Sequence, residues 1–252
     1  MRADSKPVLK LQGIAIGSLL EPDRVILYCD EWLVYKGEFW VVGGLSGSGK
    51  SDFLRFLGGL FPPVAGKYEF LGELMPIIDD RRLPIRLKLA FIPEDGGLLA
   101  KFTVLENVML PCTYHLGMPE IQAKNRAMEL LDLVGCAGLG PAFPRHLRFE
   151  QCRRVAIARA LTLDPEVLLI DCPLRGLDPV QTQWWLHRLW GLNQGQSKVS
   201  TSPITLIVST TSLSPWGKKG YKFAMLEKGK FKLIGDWDSI AVTNDTGVQV
   251  LL

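Results

Sequence analysis

Apolar residues along this chain recur with two periods, and the two periods divide it into strands and helices. Consecutive or alternating apolar runs predict strands at Leu9–Ile16, Val25–Leu27, Trp32–Tyr35, Phe39–Val42, Lys67–Leu71, Leu87–Ile92, Val167–Asp171 and Ile204–Val208. Lys222–Leu226 and Lys230–Ile234 predict a closing hairpin around Gly229. Helical spacing appears at Phe53, Leu54, Leu57 and Leu60, ended by Gly58-Gly59 and Pro62-Pro63. It returns from Thr103 to Gly140 through Val104, Val108, Leu110, Ala127, Leu130, Leu131 and Val134. Further helices are predicted from about Glu150 to Leu163, broken by Asp164-Pro165, and from Val180 to Leu192. Gln194 to Pro203 reads as a polar loop. Strands with no polar face, such as Val167-Leu168-Leu169-Ile170, belong in a parallel sheet covered on both sides. The chain shows no internal repeat and no low-complexity tract.

The most informative stretch lies between the Phe39–Val42 strand and the Phe53 helix. It reads Gly43-Gly44-Leu45-Ser46-Gly47-Ser48-Gly49-Lys50-Ser51. Strand, glycine-rich loop, Lys-Ser, helix is the context of a phosphate-binding loop. Glycines let backbone N–H groups curl around phosphate oxygens, and the helix adds its free N–H groups and positive dipole end. Lys50 is placed for the β- and γ-phosphates and Ser51 for Mg²⁺. A chance match arises in roughly one chain in a hundred of this length, and the flanking strand and helix lower that further. A second anchor is the apolar strand that ends in Asp171. Such a carboxylate commonly only caps a turn. Downstream of a phosphate-binding loop, it is placed to hold Mg²⁺ through water opposite Ser51.

Composition narrows the partners. The chain has 252 residues, 47% of them apolar, enough for one large α/β domain. A net charge of +3 is too small to argue for nucleic acid. Five scattered cysteines without a CxxC pair indicate neither a zinc site nor a disulfide framework, and fit a reducing compartment. The first ten residues contain no apolar leader, and no run reaches the ~20 apolar residues of a spanning helix, so a membrane role is expected to come through a partner.

Together, the loop at residues 44–51, the strand to Asp171, Gly176-Leu177-Asp178-Pro179 and Arg154-Val155-Ala156-Ile157-Ala158-Arg159-Ala160-Leu161 resemble the nucleotide-binding subunit of ABC transporters over nearly the whole chain. Gly97-Leu98-Leu99, Phe102 to Val108 and the tail Asn244 to Gln249 resemble the MlaF-like lipid-transport branch. The resemblance implies an α/β P-loop NTPase fold: a RecA-like mixed-sheet core with an antiparallel β subdomain and an inserted α-helical subdomain. Residues 1–252 then form one ABC ATPase domain. Its core and β subdomain span 1–96 and 164–240, the helical subdomain 97–163 and the tail 241–252. The resemblance implies ATP and Mg²⁺ as cofactors, held by Gly44, Leu45, Ser46, Gly47, Ser48, Gly49, Lys50, Ser51 and position 52, with Ser51, Asp171 and Glu94 around the metal. Implied partners are a membrane permease engaged through its coupling helix, a second cassette in a homodimer or heterodimer, and an Mce-type lipid-binding protein. The implied location is peripheral, on the cytoplasmic face of the inner membrane. One cassette without a long insertion argues against the soluble ABC proteins of translation or DNA repair.

The departures from that family fall on its chemistry. The residue after the Walker B aspartate, normally a water-polarising glutamate, is Cys172, and a thiol is a poor base for water. The γ-phosphate-sensing glutamine is replaced by Glu94, and the switch histidine by Thr210. The signature Leu-Ser-Gly-Gly-Gln becomes Leu147-Arg148-Phe149-Glu150-Gln151, which removes both glycines and adds a carboxylate. Arg148 is a cation that can face a γ-phosphate, although a solvated surface position is the plainer expectation. Asp52 stands where a Ser or Thr faces the α-phosphate. Like charges ~5 Å apart cost about 3 kcal/mol at an effective dielectric near 20. No aromatic lies near Ser18 to stack on adenine, and Tyr28 is the alternative considered.

Other features carry plainer readings. The Trp184, Trp185, Trp190 group reads as packing, and His115, His146 and His187 lack ligand spacing. Arg81-Arg82 and Lys218-Lys219 read as solvated faces. Leu98 to Pro111 reads as subdomain packing beside the groove that receives a permease. Two functional expectations follow. The first is an ATP-binding transporter subunit with weak or absent hydrolysis of its own. The second is a slow ATPase in which Glu94 and Arg148 substitute for the missing groups.

Overall fold

The computed structural model describes residues 6–18, 21, 24–77, 79–196, 202–217, 220–243 and 245–252. Lys218-Lys219, Asn244 and residues 197–201 of the polar loop lie outside them. The strands are β1 Leu9–Gly17, β2 Val25–Val34, β3 Phe39–Gly43, β4 Ala65–Phe70, β5 Glu73–Leu74, β6 Leu89–Ile92, β7 Val167–Ile170, β8 Thr205–Thr210, β9 Lys222–Glu227 and β10 Lys230–Gly235. The helices are α1 Lys50–Leu57, α2 Leu83–Arg86, α3 Val104–Leu116, α4 Glu120–Leu133, α5 Phe149–Leu161, α6 Pro179–Asn193, α7 Trp237–Val242 and α8 Thr246–Leu251.

The ten strands among the described residues join one sheet in the order β5-β4-β1-β2-β10-β9-β3-β8-β7-β6. From β9 to β6 the strands run parallel, whereas β1, β2, β4 and β5 form an antiparallel wing. The parallel strands alternate apolar side chains between two buried layers. Val41, Leu168, Ile170, Leu206 and Val208 face a layer with residues of α3 to α6. Trp40, Val42, Val167, Leu169 and Ile207 face α1 and the inner side of the wing. Burial on both faces is what their unbroken apolar sequence requires.

Two sequence expectations change. Val25–Leu27 and Trp32–Tyr35 are one strand, because the intervening residues pair with β1 through Tyr28, Cys29 and Glu31. Asp30 and Glu31 are exposed while Cys29 and Trp32 are buried, so this wing meets solvent on one side and its polar residues hide the strand. The helical stretch from Thr103 to Gly140 divides at Gly117, which ends α3 with φ +58°. Trp185 is fully buried and Trp190 packs edge-on against Tyr221, as expected of packing residues. Arg82 pairs with Glu73 at 3.1 Å. Among the described residues, no helix is long and apolar enough to cross a membrane.

Helices α3, α4 and α5 pack on one another beside the parallel end of the sheet. The segment that leads into them is pinned from inside. Asn107 is fully buried; its amide donates to the carbonyls of Leu99, Phe102 and Thr103, and its oxygen accepts from the Leu99 N–H at 2.8 Å. Replacing it takes the side-chain partner from the Leu99 N–H and the Phe102 carbonyl and leaves a gap at a fully buried position, while the Leu99 and Thr103 carbonyls keep the Phe102 and Asn107 N–H groups. An Asn107→Ala variant is therefore expected to lose about 2–3 kcal/mol of stability, read as a lower midpoint in chemical denaturation. An unchanged midpoint means that the 99–103 turn is held by something else.

Candidate functional site

Three parallel strands end side by side. Val41 of β3 stands beside Val208 of β8, and Val208 beside Ile170 of β7. The chain leaving β3 becomes the glycine-rich loop, the chain leaving β7 begins at Asp171, and β8 ends with Ser209 and Thr210. These ends border an open cavity of about 540 Å³. Its walls hold Ser46 to Asp52, Glu94, Cys172, Arg175 and Thr211, with Ser18, Ile26, Lys228 and Gly229 from the wing side.

The loop is shaped by its glycines. Gly47 and Gly49 have φ of +79° and +88°, a region that disfavours side chains. At Gly44 a Cβ atom would lie 2.9 Å from the Leu226 carbonyl oxygen and against the Ser48 hydroxyl. The α1 helix starts directly at Gly49 without a side-chain cap, so its first N–H groups face the cavity end. Lys50 is buried and donates to the Gly44 and Leu45 carbonyls at 2.7 and 2.8 Å. Burial lowers its pKa; Cys172 and Asp171 act in the opposite direction. Leu45 is exposed at the loop tip.

Beside the loop, Asp171 is buried and accepts the Ser209 hydroxyl hydrogen at 2.6 Å. Ser209 in turn accepts the Cys172 N–H at 2.9 Å, and its oxygen lies 3.4 Å from the Cys172 sulfur. Sequence reasoning missed Ser209, whose polar side chain within an apolar strand was the available signal. Burial pushes the Cys172 thiol up from its ordinary value, and Asp171 and Glu94 add to the rise; Ser209 and Lys50 oppose it. The thiol is therefore protonated at neutral pH and cannot accept a proton from water.

The charged positions are paired within the chain. Glu94 accepts from the Arg175 guanidinium at 3.1 Å, and both face the cavity. Asp52 pairs with Arg55 one helical turn on, also at 3.1 Å, which moderates the repulsion expected there. Arg175 was not anticipated; a lone arginine in a loop carries no periodic signal. Arg153, also unanticipated, is almost fully buried and donates to the Pro173 and Arg175 carbonyls at 2.8 and 2.7 Å. It fixes the chain after β7.

Some expected positions lie elsewhere. Thr210 is not in the cavity wall: its hydroxyl donates to the Ser212 carbonyl at 2.7 Å and accepts from Trp216 at 3.3 Å. The next residue, Thr211, lines the cavity. Tyr28 is exposed and outside the lining, whereas Ile26 and Ser18 are in it. Arg148, Phe149, Glu150 and Gln151 start α5 outside the cavity. The Gln151 side chain caps the Arg148 N–H at 2.9 Å, and Arg148 pairs with Glu150 at 3.0 Å. Arg148 thus projects no unbalanced charge. Phe149 is half exposed and lies under Arg153, 4.2 Å from ring centre to guanidinium carbon.

These residues suit a nucleotide with a hard cation. The loop is bare where a phosphate must approach, and Lys50 spends its protons on carbonyls it can exchange for phosphate oxygens. Ser51 at the wall and the Asp171 carboxylate are oxygen donors of the kind Mg²⁺ selects. Glycine-rich loop, acidic strand end, mixed sheet and helical insertion define an ABC-type nucleotide-binding domain. The ABC transporter family model matches residues 30–175, and the chain belongs to that family.

Relatives and solved structures agree on this level. Methionine import ATP-binding protein MetN 2 of Enterococcus faecalis is 35% identical over 198 residues, 78% of this chain and 55% of that protein. MetN of Geobacillus kaustophilus is 33% identical over 224 residues, 88% of this chain and 62% of its own length. An uncharacterized ABC transporter ATP-binding protein of Thermotoga maritima is 44% identical over 147 residues, 58% of this chain and 62% of that one. The chain thus spans little more than half the length of the curated relatives it matches. An ATP-binding cassette solved as a dimer with ADP and Pi after hydrolysis is 28% identical, with a TM-score of 0.74, covering 89% of this chain and 98% of that one. The cbiO1 structure from Clostridium perfringens shares the fold at 21% identity and TM-score 0.77, covering 95% and 92%. The mixed α/β cassette fold expected from the sequence is the one found. The lipid-transport branch and its Mce-type partner receive no support from these relatives.

Two outcomes test the site. A Gly44→Ala variant is expected to bind ATP more than about tenfold more weakly, because the added carbon forces the loop off its course; unchanged affinity in a calorimetric titration sinks the cradle. The raised Cys172 thiol means that its neutral form stabilises the fold. That contribution is complete below the ordinary thiol pKa of about 8.5 and is lost as pH climbs through the higher folded value. Alkylation of Cys172 by iodoacetamide, mapped by peptide mass spectrometry, should therefore stay slow through pH 8 and rise only at higher pH.

Proposed function

We propose that this chain is the ATP-binding subunit of an ABC transporter and that it hydrolyses ATP weakly or not at all by itself. The observation that carries the binding half is the glycine-rich loop, with buried Lys50, in the wall of a 540 Å³ cavity. Lys50 and the N–H groups of the loop and α1 hold phosphate oxygens. Ser51 and Asp171, the latter oriented by Ser209, hold Mg²⁺, which would neutralise phosphate charge there. The weak-hydrolysis half rests on Cys172, a neutral buried thiol where the family places a carboxylate. Thr211, Glu94 and Asp52 complete the wall without supplying a free base.

The same reading assigns the chain a peripheral place on the cytoplasmic face of a membrane, bound to a permease and paired with a second cassette. The solved dimeric cassette supports pairing in this fold. Whether the pair is of like or unlike chains, the signature segment at Arg148 to Gln151 would face the partner's nucleotide with a self-paired Arg148 and Glu150. For cargo, the named relatives favour methionine or a similar small solute over lipid. A slow ATPase using Glu94 as base is the second reading. It is disfavoured by the Arg175 contact, which already occupies the Glu94 carboxylate at 3.1 Å.

Nucleotide binding and turnover in the assembled transporter decide between them. Lys50→Ala is expected to abolish detectable ATP binding. Cys172→Glu is expected to raise turnover by about tenfold or more by restoring a carboxylate base. A robust parental rate that Lys50→Ala abolishes, in a complex with no other ATPase, overturns weak hydrolysis. A Glu94→Ala variant as fast as the parent removes the second reading.

A further inference from the structure

We propose that Arg175 discriminates a nucleoside triphosphate from a diphosphate, and that its ion pair with Glu94 is the resting partner it gives up to the terminal phosphate. This inference rests on the nucleotide-binding reading above and adds a residue and a selectivity to it. The cavity has two walls of different origin. Ser18, Ile26, Lys228 and Gly229 come from the wing and the β9–β10 turn, where the Tyr28 N–H donates to the Gly229 carbonyl at 2.8 Å. Glu94, Cys172 and Arg175 come from the ends of β6 and β7. Lys50 lies within electrostatic reach of the second wall, where the Glu94 and Arg175 charges act on it, as does Asp171 beside that wall. Because a P-loop lysine serves the β- and γ-phosphates, the terminal phosphate belongs against that wall.

On that wall Arg175 is an exposed cation on a fixed base. Its N–H donates to the Cys172 carbonyl at 3.1 Å, and its carbonyl accepts from buried Arg153 at 2.7 Å, so the backbone is clamped from both sides. The side chain is more than half exposed and, among the described residues, its guanidinium bonds only Glu94, at 3.1 Å. A guanidinium donates to a pair of phosphate oxygens as readily as to a carboxylate, and a phosphate offers more charge. A triphosphate therefore competes with Glu94 for Arg175. A diphosphate ends one phosphate short and leaves the ion pair in place.

The test is equilibrium binding of MgATP and MgADP to the full chain by calorimetry, with thermal melting to confirm folding. The parent should prefer MgATP. Arg175→Ala should reduce the ATP-over-ADP preference about tenfold, with ADP affinity nearly unchanged. Arg175→Lys, a point charge without the fork, should restore only part of it. Glu94→Gln should tighten ATP and not ADP in the parent, and this gain should vanish when Arg175→Ala is also present. Equal weakening of both nucleotides by Arg175→Ala, or none, overturns the inference while leaving nucleotide binding intact. A parent that binds neither nucleotide overturns both readings. If Arg175→Ala does not fold, Arg175→Lys and Glu94→Gln decide the question, since a merely structural pair would shift both nucleotides alike.

Discussion

The common ending of three buried parallel strands is the constraint on which the site depends. Val41, Val208 and Ile170 stand abreast, so the residues that follow emerge at one level. A slip of one residue would turn every side chain of a strand to the opposite layer. Here both layers are apolar and differently shaped, with Trp40 and Val42 toward α1 and Phe39 and Val41 toward the helices. Packing therefore fixes the register, and the register brings Asp171 within 2.6 Å of Ser209. The hydrogen bond is a consequence of the hydrophobic core before it is a feature of the site.

Several polar and charged groups at the cavity already have partners. Asp52 has Arg55, Glu94 has Arg175, and Lys50 has two carbonyls. The pairs are partly exposed, so each contributes little to stability. Their consequence is for ligands. A phosphate entering here must displace partners rather than fill an empty electrostatic hole, so affinity depends on exchange between comparable contacts. The repulsion that Asp52 suggests in the sequence is thereby softened, not removed, because Arg55 offsets its charge from one turn away.

The sequence made the loop and the Asp171 strand legible because both depend on local chemistry: glycines that permit positive φ, and an apolar run with no polar face. It split β2 in two, because exposed Asp30 and Glu31 interrupt the apolar pattern on the solvent side of the wing. It could not tell which of two chemically identical residues, Thr210 or Thr211, lines the cavity, since only the turn toward Ser212 and Trp216 separates them. It gave no hint of Arg153 or Arg175. Their roles arise from contacts between α5 and the chain after β7, about 20 residues away in sequence, and no spacing encodes a contact of that kind.

Helix α5 joins these observations. From its first turns Phe149 stacks on Arg153, and Arg153 grips the Pro173 and Arg175 carbonyls. From its last turn Arg159 donates to the Gly96 and Gly97 carbonyls at 3.0 and 2.8 Å, just beyond Glu94. Between them the backbones touch: a Cβ on Gly96 would lie 2.8 Å from the Cys152 carbonyl oxygen. One rigid helix thus holds the loops that carry both members of the Glu94–Arg175 pair. Packed interiors do not stretch, so a shift of α5 moves the two loops together and preserves the pair, whereas a shift of the β7 loop against α5 must break buried arginine bonds. A ligand that separates Arg175 from Glu94 is therefore expected to do so by turning the arginine side chain, with the loops and the helix staying where they are.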